Sequence, residues 1–287
     1  METMLDPSWA LTRPILWLAL AGVLAVLVLR TIRKDRREYQ RFKRYRSTAR
    51  RQAMFRRWLR DSFLTFGGLS AVLLLLAGSF VVPLLREFVE WPVLRDIRAV
   101  IGANPAVTAL VVVALAVGLT VITVLAVREA RKDGDELVVI GDIRSMLPRN
   151  RQELRWGALL SINAGVVEET MFRLALPAAI FGASGSAVAA VIGSVLLFGA
   201  LHLYQRAAGI IGTTIVGALM MAVYVISGTI AVPIVLHALF DLRSLVVIPA
   251  GIFRAHTIDG RKHPYIPAPP RKPTSAAPVT APADPAA

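Results

Sequence analysis

The chain has no cysteine. That excludes disulfides, thiolate metal sites and a cysteine nucleophile. It also lacks any polar stretch long enough for a separate globular domain. Acidic residues are scarce, 19 Asp and Glu against 33 Lys and Arg, for a formal net charge of +14. The apolar share is high instead: 55% of 287 residues, with a mean hydropathy of +0.59. Apolar residues gather in blocks of about 18–23, the length that crosses roughly 30 Å of hydrocarbon as helix. The fold class expected is all-α, a polytopic transmembrane helical bundle of seven spans, or eight if 174–185 re-enters.

The positive charge is concentrated. Residues 30–60 hold fourteen Lys/Arg against Asp35 and Glu38 alone. A basic run between two apolar blocks reports orientation and contact with anionic lipid. It is not a recognition fold for nucleic acid, and no nucleic-acid partner is expected. Tyr39, Phe42, Tyr45, Phe55 and Trp58 interleave the charges, so the segment reads as an amphipathic helix lying partly on the inner leaflet, or as a solvated charged one.

The apolar blocks are 9–29, 63–85, 107–127, 156–176, 186–204, 208–226 and 229–248. The first carries its charge after the run, unlike a secretory signal, so it is expected to remain as a span. Pro177 and Gly182 to Gly185 are expected to end the fourth, and Asp133-Gly134-Asp135 to make a turn in the loop before it. Leu147 to Leu154 reads as a turn opening a helix. Seven spans with the N-terminus outside place 30–60, 128–155, 204–207 and the C-terminus in the cytoplasm, in agreement with the Lys/Arg bias. The expected location is a plasma membrane of bacterial type. Four regions follow: 1–62, an N-terminal span with the basic loop; 63–130, two further spans; 131–250, a catalytic membrane core; and 251–287, a disordered tail, with eight prolines from Pro264 onward.

The last four blocks contain what the first three lack. Glu168, Glu169 and Arg173 lie in the fourth, His202 in the fifth, His237 and Asp241 in the seventh. A charge at a helix centre costs roughly 2.5–3.5 kcal/mol on insertion scales, so a functional site is the default reading. Glu169 and Arg173 are spaced i, i+4 with the acid first, the better order for a helical ion pair. That leaves Glu168, about 100° around the helix, without a local cation and free to act as a base. His237 and Asp241 share a face at i, i+4, as do Phe198 and His202. Three helices can thus aim Glu168, His202, His237 and Asp241 into one cavity. The set suits water activation by Glu and His, with or without a metal; Glu168, His202 and His237 are also a zinc-capable donor set. A proton-coupled transporter would place the same residue types at mid-membrane.

Glu168-Glu169-xxx-Arg173, Phe198-xxx-His202 and His237-xxx-Asp241 together resemble the EExxxR, FxxxH and HxxxN/D motifs of the CPBP family of CAAX prenyl proteases and bacteriocin-processing or immunity proteins, over about 145–250. The resemblance implies a membrane-embedded endopeptidase acting on a peptide or membrane-protein substrate. It implies that Glu168 and His202 activate the water, that His237 and Asp241 sit at the oxyanion end, and that Glu169, Arg173 and Phe198 support them. A non-proteolytic relative acting as an immunity or scaffold protein is the alternative within the family. Two positions depart from the pattern. Asp241 stands where an Asn would donate a hydrogen bond, which an ionised Asp cannot, and Leu174 stands where many members have Gly. At about 1.5 Å per residue, straight spans would leave Glu168 and His202 roughly 12 Å apart in depth. The fourth helix is therefore expected to begin below the membrane, near Arg149.

Because the chain has no native cysteine, topology is testable directly. Single cysteines at Ser47 and Ser8 are expected to label from opposite sides of the membrane with an impermeant maleimide. Labelling of both from one side refutes the seven-span orientation.

Overall fold

The computed structural model describes residues 5–102, 105–132 and 144–265. Eight helices account for nearly all of them: α1 Thr12–Phe42, α2 Thr48–Glu90, α3 Pro92–Gly102, α4 Pro105–Lys132, α5 151–184, α6 Ala187–Ala200, α7 Leu203–Ser227 and α8 Ala231–Ile252. Among the described residues α1, α2, α7 and α8 are long and apolar enough to cross a membrane. With the helix-only architecture, they make the chain an all-α membrane bundle.

Several boundaries differ from those expected. The basic segment is not a loop: α1 continues through it to Phe42, and α2 begins in it at Thr48. Its aromatic face is covered by protein, with Tyr39, Phe42 and Phe55 at most 2% exposed. Phe42, Met54 and Phe55 pack with Trp58 and with Trp156 and Leu160 on the first turns of α5. The segment before α4 contains α3, with Pro92 at its first position, where a missing N–H costs nothing. The expected turn at 133–135 lies outside the described residues.

Pro177 does not end the fourth helix. A mid-helix proline lacks an N–H and crowds the carbonyl four residues back, here that of Arg173. A π turn over 170–175 immediately precedes it and loosens that ladder, so α5 runs on to Ser184 and stops at Gly185, whose φ of +72° is left-handed. Similar π turns interrupt α1 at Thr31–Asp35, α2 at Phe63–Gly67 and α8 at Arg243–Val247.

The start of α5 is held by buried polar bonds. Asn150 caps it, its side chain accepting from the Glu153 N–H at 2.9 Å. The Glu153 carboxylate accepts from Thr48 Oγ1 at 2.9 Å and from Arg51 Nε at 3.0 Å. Arg51 donates further to the carbonyls of Ser145 and Leu147, both at 3.0 Å, and lies over the Phe42 ring. Arg51 and Glu153 are fully buried.

The chain end joins this network. Arg151 N–H donates to the Ile258 carbonyl at 3.0 Å, Gln152 to Asp259 at 2.7 Å, and Thr48 N–H to the Pro264 carbonyl at 2.9 Å. Residues 251–265 are therefore folded against the α5 start, and the disordered tail expected from 251 does not include them. Residues 266–287 lie outside the described residues.

Small residues bring α5 and α8 together. A Cβ on Gly165 would stand 2.8 Å from the Ile234 carbonyl oxygen, and one on Gly157 2.8 Å from that of Leu245. Only glycine permits so close an approach, and it sets the α8 motif beside the α5 motif.

Breaking a buried ion pair from one side costs about 3–5 kcal/mol. Arg51→Ala and Glu153→Ala are each expected to lower the thermal unfolding midpoint of the detergent-purified protein by several degrees. The double variant is expected to lose markedly less than the sum of the two. Additive losses would show that the two side chains act independently.

Candidate functional site

A single cavity of about 690 Å³ is lined by Glu168, His202, His237 and Asp241. Its walls include Trp58 and Phe66 on α2, Leu160, Asn163, Ala164 and Phe172 on α5, Phe198 on α6, Val216 on α7, Phe240, Ile248 and Ile252 on α8, and Leu201 in the turn after α6. It extends to Arg30, Asp35 and Tyr39 on α1 and to Met146 and Leu147 before α5. The helix α5 starts at Arg151, before the apolar block and close to the Arg149 expected.

Glu168 and Glu169 separate by helical phase. Glu168 faces the cavity, whereas Glu169 is fully buried and turned away from it. Glu169 Oε2 lies 3.0 Å from Arg173 Nε, an ion pair out of line for a good hydrogen bond. Arg173 gains a hydrogen bond to the Gly217 carbonyl at 3.2 Å and a place over the Phe198 ring at 4.6 Å. The pairing read from the spacing is present but incomplete. Glu169 also accepts from His237 Nδ1 at 2.6 Å, a bond between α5 and α8 with no signal in local spacing.

His202 is not on a helix. The fifth block was expected to run to Tyr204, but α6 ends at Ala200 and His202 lies in the turn that follows. Its Nδ1 is 2.8 Å from the Phe198 carbonyl, one of the last carbonyls of α6 and so without a helical donor. A carbonyl only accepts, so Nδ1 carries the proton, and in the neutral ring Nε2 keeps its lone pair. Phe198 thus orients His202 twice, by this bond and by ring contact at 4.9 Å.

His237 is 7% exposed. With Nδ1 donating to Glu169, its Nε2 points the other way, 3.8 Å from Asp241 Oδ2. Asp241 accompanies the imidazole without locking it.

The zinc-capable reading of Glu168, His202 and His237 does not fit. Among the described residues no three His, Asp or Glu side chains are grouped so as to hold a metal ion. Further polar residues line the cavity that were not foreseen, Tyr204 and Arg243 among them. Tyr204 stacks near His202 and Tyr39 and accepts from Gln205 at 3.0 Å. Arg243 follows Asp241 by two residues. Proximity to the motifs was their only signal in the sequence.

No curated protein and no solved structure matches the chain. A family model does, over about a third of it: residues 150–243, which carry all three motifs, match the model described as Type II CAAX prenyl endopeptidase Rce1-like.

Proposed function

We propose that the protein is a membrane-embedded endopeptidase that hydrolyses a peptide bond with water activated by Glu168 and His202. The observation that carries this reading is the convergence of both side chains on one cavity, with the His202 proton committed to the Phe198 carbonyl. Nε2 of His202 and the Glu168 carboxylate are then two acceptors for the two hydrogens of a single water. Glu168 takes a proton as the water oxygen attacks the scissile carbonyl, and returns it to the amine that leaves. The carbonyl electron pair moves onto oxygen and back again as the C–N bond breaks.

The oxyanion falls to His237. It donates from Nε2 only when both ring nitrogens carry protons, and Glu169 at 2.6 Å and Asp241 at 3.8 Å balance that charge. On this reading Asp241 acts as a counter-ion. An ionised carboxylate cannot itself donate to an oxyanion, but it can serve as counter-ion to the ring that does. Glu169 is a positioning residue, and no step passes through a metal. The matched family's description supports a prenylated chain as substrate. The apolar side chains of Leu160, Phe172, Leu201, Val216 and Phe240 would bury such a group. The exposed arginines Arg36, Arg37 and Arg41 on α1 and Arg44 just after it suit an anionic lipid surface beside it.

Two neighbouring substitutions test the division of roles. Glu168→Gln keeps volume but cannot take a proton. It is expected to lower cleavage of a prenylated peptide by about 10²–10⁴-fold with the unfolding midpoint unchanged. Glu169→Gln strips Arg173 of its charge partner, and the expected loss is about 3–5 kcal/mol of stability. Full activity in Glu168→Gln, or wild-type stability in Glu169→Gln, overturns the assignment.

A further inference from the structure

Two arginines line the cavity, and they differ in partners. Arg30 is neutralised: its Nε is 3.3 Å from Asp35, and its Nη1 donates to the Asp61 carbonyl at 2.9 Å. Arg243 is not. Its Nε donates to Thr123 Oγ1 on α4 at 2.7 Å. Among the described residues it forms no ion pair. The Thr123 bond fixes the guanidinium by one edge and leaves both Nη groups available. On α8 it is flanked in the cavity lining by Asp241 and Ser244, and beyond them by Phe240, Leu245, Ile248 and Ile252.

A guanidinium held by one edge and without an ion-pair partner among the described residues matches a planar anion that takes two parallel hydrogen bonds, and a carboxylate is that anion. Its place relative to the reacting groups narrows the source. Arg243 is six residues along α8 from His237, roughly 9 Å at 1.5 Å per residue. An extended peptide covers that distance in two or three residues at about 3.3 Å each. We propose that Arg243 is a specificity-determining residue that binds the C-terminal carboxylate of the substrate, two or three residues downstream of the bond presented to Glu168 and His202. This rests on the endopeptidase reading for what is cut. The carboxylate anchor itself is separable by a binding measurement that needs no turnover.

The full chain carrying Glu168→Gln is purified in detergent. Binding of a fluorescent peptide is compared as the free acid, as the C-terminal amide, and as an amide with Asp at its penultimate position. The free acid is expected to bind ten- to a hundredfold more tightly than either amide, the usual reach of hydrogen bonds to charged groups. Adding Arg243→Gln is expected to bring the acid to the amide's affinity. Arg243→Lys, which keeps the charge but not the fork, is expected to retain only part of the preference. It decides the matter if the glutamine variant does not fold. Equal binding of acid and amide, or a preference that survives Arg243→Gln, overturns the proposal. So does tight binding of the Asp-bearing amide, which would assign the anchor to acidic side chains. A preference that holds in the binding assay while the wild-type chain cleaves no peptide would leave the anchor standing and remove the endopeptidase reading.

Discussion

Glu169 is the point on which the cavity depends. It is fully buried, and its two oxygens serve two helices: one faces Arg173 on its own helix, the other accepts from His237 on α8. A carboxylate removed from water needs compensation on both oxygens, or its desolvation is not offset. Here the compensation fixes α8 against α5. It also turns the His237 ring so that Nε2, not Nδ1, is directed away from Glu169 toward Asp241. The close approach at Gly157 and Gly165 makes this geometry reachable, since a bond of 2.6 Å between helices leaves no room for side chains in the seam.

The two adjacent glutamates show how helical phase divides labour. One peptide unit separates them, yet one contributes to packing and the other to the cavity wall. The π turn over 170–175 begins directly after Glu169, and that over 243–247 begins two residues after Asp241. Each adds a local widening beside a motif, as π turns often do at functional sites. Arg173 is itself within the first of them, and its guanidinium reaches both Glu169 and the Phe198 ring.

Much of this was legible in the sequence for a simple reason. Apolar block length, i, i+4 spacing and charge in an apolar segment are local properties, and they marked the helices, the Glu169–Arg173 pair and the cavity side chains. What escaped was non-local or depended on exceptions. The His237–Glu169 bond joins residues 68 apart. Pro177 reads as a breaker unless the π turn ahead of it is known. The aromatic residues of the basic segment read as lipid-facing because their cover, Trp156 and Leu160 on α5, is distant in sequence. The covering of the α5 start by residues 251–265 has no periodic signature at all.

That last contact bears on the order in which the molecule becomes complete during synthesis. Asn150, Glu153 and Arg51 are made before residue 154, but the Ile258 and Pro264 carbonyls that accept from Arg151 and Thr48 are among the last described residues of the chain. The helix that carries both glutamates thus has an unfinished root until nearly the whole polypeptide has left the ribosome. A nascent chain released short of that point would have every motif and lack the brace that residues 251–265 place beneath them.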